Sequence, residues 1–272
     1  TRLRRAAFTF FESLSPADKM RAYSDGMVGY LNVGAENVAA SAGTTGTVPD
    51  MVESLNLPGF QEETAGWRSD SGACPWRNAD FAVALPTELS DAATEYWRGS
   101  TALMLVLMEL SEIALELPAR HFTPAYTEPG TLLRLAYYPA GTPADGQLRY
   151  GEHTDYDGFT LLERGEEGAE ADSGGLEIQS LGGEWAPVPA PPGTLTINIG
   201  DLLARWTNDR WRATPHRVPA PPAHSAAATR GRLSVVYFTG PHPATVVECL
   251  PSPKCDTATP KYPPITADEH VQ

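Results

Sequence analysis

Hydrophobic and polar residues follow different repeats in the two halves of the chain. In the first half the apolar positions recur with helical spacing, most clearly over residues 94–117. There Glu109, Glu112 and Glu116 form one polar stripe on an otherwise apolar cylinder. This pattern predicts a helix that is largely buried, most simply against a sheet.

From residue 132 onward the repeat changes to two, which is typical of β-strands. Residues 133–137 and 176–179 alternate, and Gly182-Gly183 separates the second segment from residues 185–188 as in a hairpin. Further strands are predicted at residues 194–199, 212–218 and 232–238. We therefore expect an all-β core with flanking helices, a double-stranded β-helix (jelly roll, cupin-like) preceded by a helical N-terminal region.

Composition and charge narrow the classes of partner. Glycine (24) and proline (25) are frequent among the 272 residues, as expected for a turn-rich protein, and the formal net charge is −14. Because nucleic acids and anionic membranes bind basic surfaces, neither is expected as a partner. The longest apolar run, residues 102–108, is far shorter than the roughly 20 residues that span a bilayer. Cys74, Cys249 and Cys255 form no C-x-x-C pair, which indicates a reduced, cytoplasmic protein.

Three residues have the composition of a metal site. His153 and Asp155 are two positions apart, so on one strand both would point to the same face, and His216 follows on another predicted strand. Two histidines and one carboxylate leave three positions of an octahedral ion open, as in Fe(II) oxygenases, whereas the H-E-x-x-H motif of zinc hydrolases is absent. Taken alone, His153 is equally compatible with an ordinary surface or structural histidine.

Arg232 and Ser234 form a second pair with a spacing of two on a predicted strand. A guanidinium beside a hydroxyl is a good receptor for a carboxylate at the bottom of a barrel. The alternative is that Arg232 is a charged residue on the surface of its strand.

With these residues in place, the sequence resembles the iron(II)/2-oxoglutarate-dependent dioxygenases of the isopenicillin N synthase-like family. The matching segments occur in the family's order and spacing: RLAYYP at 134–139, YGEHTDY at 150–156, NIGD at 198–201, WTN at 206–208, TPHRV at 214–218 and RLS at 232–234. Weaker likeness extends over nearly all of the chain.

The resemblance implies a role for each matched residue. His153, Asp155 and His216 would bind iron, and Arg232 and Ser234 would hold the distal carboxylate of 2-oxoglutarate. Two further positions are less clearly assigned by the resemblance. Tyr138 would offer its hydroxyl to the same carboxylate, with an ordinary core tyrosine as the alternative, and Ala136 stands where plant members often have Asn.

The same resemblance implies an activity. The cofactors would be Fe(II), 2-oxoglutarate and O2, and the reaction would oxidise an unactivated C–H bond of a small molecule, by hydroxylation, desaturation or cyclisation, with release of succinate and CO2. Natural-product biosynthesis, including that of antibiotics, would be its setting. Two alternatives stay open: an oxidase of the same fold that uses O2 without 2-oxoglutarate, and a non-catalytic jelly roll that binds small molecules.

The substrate residues and the domain limits are further expectations. Phe159, Trp206 and Arg205 are candidates for the substrate pocket, although core packing of the aromatic rings and a solvated charge are the alternatives. We expect a single domain with a mainly helical and loop region at 1–125, a jelly-roll core carrying the metal site at 126–250, and a C-terminal tail at 251–272. The oligomeric state is left open. Because the chain starts at Thr1 without a methionine, we expect the natural protein to begin upstream.

Overall fold

The computed structural model describes residues 1–24, 28–41, 43, 48–59, 76, 80–141, 143–164, 175–222 and 228–271, so Cys74 lies outside the described residues. The helices are α1 Arg2–Ser13, α2 Pro16–Met20, α3 Val38–Ser41, α4 Thr87–Ala114, α5 Asp201–Trp206 and α6 Ala267–Val271, with a 3-10 turn at Asp80–Ala84. The strands are β1 Gly29–Leu31, β2 Glu53–Pro58, β3 Thr131–Tyr138, β4 Tyr150–His153, β5 Phe159–Glu163, β6 Glu177–Gln179, β7 Trp185–Pro187, β8 Thr196–Ile199, β9 His216–Val218, β10 Arg232–Thr239, β11 Val246–Val247 and β12 Ile265–Thr266.

Two antiparallel sheets form the body of the protein. The larger has the strand order β1-β2-β3-β10-β5-β8, and the smaller has the order β4-β9-β6-β7. Strands of both sheets line one cavity, as expected when two sheets face each other in a jelly roll. The predicted jelly roll with flanking helices is confirmed. Two strands of the larger sheet, β1 and β2, come from the N-terminal region.

The alternation of side chains on β10 divides the interior into two parts. Arg232, Ser234, Val236 and Phe238 line the cavity between the sheets. The intervening residues are fully buried in the hydrophobic core on the opposite face: Leu233, Val235 and Tyr237. That core also receives the apolar faces of α1 and α4, so the helices cover one face of the larger sheet and leave its other face to the cavity.

Helix α4 begins earlier and is less buried than its pattern predicts. It starts at Thr87, directly after Pro86, and its core-facing side chains include Trp97, Met104 and Met108. The expectation of a largely buried cylinder was wrong for the opposite face, where Val106 and Ile113 are 49% and 75% exposed. None of the described helices is long and apolar enough to span a membrane.

The polar stripe predicted on this helix was also wrong at Glu112. Its side chain is buried, and its two carboxylate oxygens accept hydrogen bonds from the backbone N–H groups of Arg120 and Phe122, at 2.8 and 2.9 Å. Glu112 therefore fastens the turn after α4 to the helix end. A charge that binds backbone donors is stable inside a protein, which periodicity alone does not reveal.

Candidate metal centre and adjoining pocket

The three predicted metal ligands meet at one point. His153 is the last residue of β4 and pairs directly with His216, the first residue of β9. Asp155 lies two residues beyond the end of β4, in the following turn, so it does not share the strand as the sequence suggested. Its Oδ1 is 3.6 Å from Nε2 of each histidine, and one ligand atom from each of the three residues lies within 4.8 Å of the others.

The backbone orients both imidazoles. Nδ1 of His153 is 2.9 Å from the carbonyl oxygen of Gly151, and Nδ1 of His216 is 3.0 Å from that of Thr214. Because a carbonyl oxygen can only accept, each Nδ1 carries a proton, which leaves Nε2 of each ring, the atom that faces Asp155, as the one that can bind a metal. Burial also lowers the pKa of His216, which favours its neutral, metal-binding form.

The carboxylate of Asp155 is oriented by two neighbours. Its Oδ2 accepts hydrogen bonds from the hydroxyl of Thr160 and the side-chain amide of Asn198, both at 2.6 Å, which leaves Oδ1 for a metal. Burial acts to raise the pKa of Asp155, but His153, His216 and the Thr160 hydroxyl together hold it well below its usual range. An ionised carboxylate with two lone-pair nitrogens is a donor set that fits Fe(II).

These orienting residues were not identified from the sequence. Thr160 follows Phe159 on β5, and no spacing rule connects it to Asp155. Asn198 lies in the NIGD segment of the family resemblance, which was the available signal. Helix α5 adds support at the same turn, since the Asp201 backbone N–H donates to the Asp155 carbonyl (2.7 Å) and the Asp201 side chain accepts from the Thr154 hydroxyl (2.6 Å).

The metal ligands open onto the cavity between the sheets. Apolar groups provide most of its exposed surface, and the wall consists of these described residues together with the three ligands: Arg134, Ala136, Tyr138, Tyr150, Thr160, Leu162, Arg164, Leu176, Ile178, Thr196, Asn198, Thr214, Val218, Arg232, Ser234, Val236 and Phe238. The wall thus includes Arg232, Ser234 and Tyr138, the residues expected to hold 2-oxoglutarate, and Ala136.

Arg232 is the most unusual group of this wall. It is 6% exposed, and neither Nη1 nor Nη2 has a hydrogen-bond partner within the described parts of the chain. Its backbone pairs with Tyr138, whose ring centroid is 5.4 Å from the guanidinium carbon, and Ser234 pairs with Ala136. Burial lowers the pKa of Arg232 to about 10, so the side chain remains charged at neutral pH. Buried, charged donors without partners fit a carboxylate ligand.

The three residues predicted to contact substrate do not line this cavity as far as the structure is described. Phe159 faces the hydrophobic core, because on β5 it is Thr160 and Leu162 that point into the cavity. Trp206 is buried against Phe122 with ring centroids 5.2 Å apart. Sequence periodicity could not distinguish the two faces of β5, and a contact of Phe159 or Trp206 with substrate stays a prediction.

Arg205 is likewise engaged outside the cavity. Its Nη2 donates to the carbonyl oxygen of Pro263 at 2.6 Å, and its guanidinium carbon lies 4.9 Å from the Tyr262 ring centroid. These contacts attach α5 to the C-terminal segment. Arg205 therefore has a structural role, and its contact with substrate stays a prediction.

Comparison with known proteins agrees with the site. The family model of the 2OG-Fe(II) oxygenase superfamily matches residues 129–241. The chain is 31% identical over 261 residues to validamycin A dioxygenase of Streptomyces hygroscopicus subsp. limoneus, covering 93% of this chain and 67% of that protein. It is 30% identical over 220 residues to proline hydroxylase buaE of Petromyces alliaceus, covering 78% of this chain and 63% of that protein. The chain thus spans about two thirds of the length of these relatives.

A solved structure shows the same fold over almost the whole chain. This full-length protein of Neurospora crassa, crystallised in complex with α-ketoglutarate (2-oxoglutarate) and thymine, superposes with a TM-score of 0.77 and 26% identity, covering 99% of this chain and 81% of that one. Together with the sequence relatives, this establishes the family and its cofactors, Fe(II), 2-oxoglutarate and O2. The chain belongs to the 2-oxoglutarate-Fe(II) oxygenase superfamily.

Proposed function

We propose that this dioxygenase binds Fe(II) through His153, Asp155 and His216 and oxidises a C–H bond of a small molecule of specialised metabolism. The single observation that carries the assignment is the convergence of these three ligand atoms within 4.8 Å at a cavity that also contains the unpartnered Arg232. The names of the relatives, among them a validamycin A dioxygenase and a proline hydroxylase, support a small-molecule substrate.

The length of the cavity supports the second half of the proposal, that Arg232, Ser234 and Tyr138 bind the distal carboxylate of 2-oxoglutarate. Thr160 contacts the metal ligand Asp155 at one end of β5. The strand then runs antiparallel to β10, and Val235 pairs with Glu163 near the other end. Thr160 and Glu163 are three residues apart, about 10 Å along the strand, and side chains that reach inward from both ends leave room for a five-carbon diacid.

Iron and 2-oxoglutarate together supply the chemistry, which is oxidation of a C–H bond with consumption of O2 and release of succinate and CO2. The protein's residues position the participants. The carbonyls of Gly151 and Thr214 orient the two imidazoles, and Thr160 and Asn198 orient the carboxylate, so that these three side chains would hold Fe(II) at the cavity.

The apolar wall of the cavity excludes water from the reacting bond. The side chains that provide it are Leu162, Leu176, Ile178, Val218, Val236 and Phe238. A substrate held near the metal by this wall presents one C–H bond, and its position decides whether the outcome is hydroxylation, desaturation or cyclisation. Selectivity therefore depends on packing.

An anaerobic titration of the Fe(II) protein with 2-oxoglutarate tests the cosubstrate assignment. We expect a weak visible charge-transfer band that saturates with 2-oxoglutarate, and succinate formation in air when a substrate is present. Absence of the band, with O2 still consumed on addition of substrate, would favour the oxidase that does not use 2-oxoglutarate. Bound small molecules without turnover or iron binding would favour the non-catalytic alternative.

Two further proposals concern the setting of the enzyme. We propose a reducing, cytoplasmic location, which is supported by Cys249 and Cys255 being free thiols. Measuring free thiols in the purified native protein tests this, because an oxidising compartment would yield a disulfide.

We also propose that neither nucleic acid nor a membrane is a partner, which is supported by the net charge of −14.

A further inference from the structure

Arg164 is a second buried arginine at the cavity, outside the set that the sequence singled out. It directly follows β5, is 4% exposed and lines the cavity. Its Nη2 is held by three acceptors, the carbonyl oxygens of Val188 and Pro189 and the hydroxyl of Thr196, each at 3.2 Å. Its Nε and Nη1 are buried and have no hydrogen-bond partner among the residues the structure describes.

The strand register places Arg164 beside the carboxylate-binding pair. Glu163, the last residue of β5, pairs with Val235 of β10. The next residue along β5 therefore stands next to Ser234, and both side chains face the cavity. The two guanidiniums are close enough to interact electrostatically. Burial and Tyr138 have the largest effects on the pKa of Arg232, and the positive charge of Arg164 comes next and lowers this pKa.

The arginines around the cavity differ in whether a carboxylate neutralises them. Arg134 is neutralised by Glu36, with Nη2 2.9 Å from a carboxylate oxygen. Within the described ranges, Arg164 and Arg232 have no such ion pair, and Asp155 is directed to the metal centre. Two buried cations that lack a counter-ion among the described residues are costly unless a ligand supplies the negative charge. Both guanidiniums therefore favour an anionic ligand between them.

We propose that Arg164 is a second carboxylate-binding residue, which together with Arg232 holds the distal carboxylate of 2-oxoglutarate. This inference rests on the proposed function of the pocket. It assigns to Arg164 a part in selectivity: the enzyme prefers a dicarboxylic 2-oxo acid over the monocarboxylic acid of equal chain length, because the second acid group satisfies two guanidiniums at once.

The test compares Arg164→Gln with the wild-type holoenzyme. Glutamine removes the charge and both Nη atoms, and its shorter side chain does not reach the carbonyl groups of Val188 and Pro189. Comparing two 2-oxo acids therefore separates the loss of these structural hydrogen bonds from the loss of a contact with the distal carboxylate. The matched control is Arg5→Gln, which removes the same charge from the exposed face of α1. Each Fe(II) protein is titrated anaerobically with 2-oxoglutarate and with 2-oxopentanoate, which has a methyl group in place of the distal carboxylate.

We expect Arg164→Gln to weaken 2-oxoglutarate binding about tenfold or more, the effect of a lost hydrogen bond to a charged group. Binding of 2-oxopentanoate should stay unchanged, and Arg5→Gln should change neither. In steady state, KM for 2-oxoglutarate should rise while kcat remains close to that of the wild type, which provides a second readout if 2-oxopentanoate binds too weakly to measure.

Two results would overturn the inference. Unchanged 2-oxoglutarate affinity and KM in Arg164→Gln would show that Arg164 does not contact the carboxylate. Equal weakening of both 2-oxo acids, or a loss of kcat without a change in KM, would show that Arg164 supports the fold. Failure of the proposed function is recognised separately, because the wild-type protein would then bind no 2-oxoglutarate and Arg232→Met would have no effect.

Discussion

His153 and His216 are direct cross-strand partners, with ring centroids 4.2 Å apart, although 63 positions separate them in the chain (216 − 153). The pairing of β4 with β9 thus brings together the two nitrogens of the candidate metal centre. A shift of one residue in this register would turn one imidazole to the opposite face of the sheet. The metal site therefore depends on correct sheet pairing.

Replacing His216 with alanine should abolish stoichiometric iron binding. Two remaining ligands cannot hold Fe(II) in place of three, and the loss should appear as iron per chain after anaerobic reconstitution and desalting. His121→Ala is the control, because this imidazole packs on Phe122 away from the centre. Turnover retained by His216→Ala would refute the ligand assignment.

Removing the Thr160 hydroxyl should weaken the metal site without removing a ligand. In Thr160→Val the Oδ2 atom of Asp155 keeps the Asn198 amide but loses its other donor. Changes of this kind lower metal affinity by roughly 10- to 100-fold. Competition with a chelator measures the affinity, and Thr160→Ser should restore it. If the serine variant binds iron as weakly as the valine variant, the hydroxyl is not the cause.

Adding a methyl group at Gly175 should disturb the carboxylate-binding end of the cavity. Its φ is +64°, and a Cβ there would lie 3.0 Å from Nη1 of Arg232. Gly175→Ala should therefore raise KM for 2-oxoglutarate in steady-state assays, in addition to a backbone cost of about 1 kcal/mol.

The control for this variant is Gly183→Ala. That glycine has a similar φ, +86°, but a Cβ there would meet no atom within 4 Å. Its stability should fall by a comparable amount with KM unchanged. Equal KM values in the two alanine variants would show that Gly175 has no influence on the position of Arg232.

Neutralising Glu112 should destabilise the fold and leave the site intact. In Glu112→Gln one of the two backbone N–H groups, of Arg120 or Phe122, loses its acceptor and the other keeps an uncharged one. The expected loss is about 1–3 kcal/mol in the free energy of unfolding, measured with denaturant, with KM for 2-oxoglutarate unchanged. Glu109→Gln, on the exposed face of the same helix, should cost much less. A similar cost for both variants would argue against the buried hydrogen bonds as the cause.

A repeat in the sequence does not say which face of a strand or helix is buried. A period of two on β5 divides its residues into two sets, and Phe159 belongs to the set that packs on the helices while Thr160 and Leu162 face the cavity. Similarly, the charge of Glu112 suggested a solvent-exposed stripe, but backbone donors of a later turn offset the cost of its burial. In both cases burial depends on contacts with residues outside the element itself.

Strand periodicity and motif spacing were enough to predict the class of fold, the family and the residue types of the metal site, because both are local properties of the chain. The roles of His153, Asp155 and His216 remain predictions that iron binding will test. Three relationships became visible in the folded chain: Asp155 lies in the loop after β4, Thr160 and Asn198 orient its carboxylate, and Arg164 stands beside Ser234. These relationships arise from pairing between strands far apart in sequence, and strand pairing depends on the packing of the whole sheet.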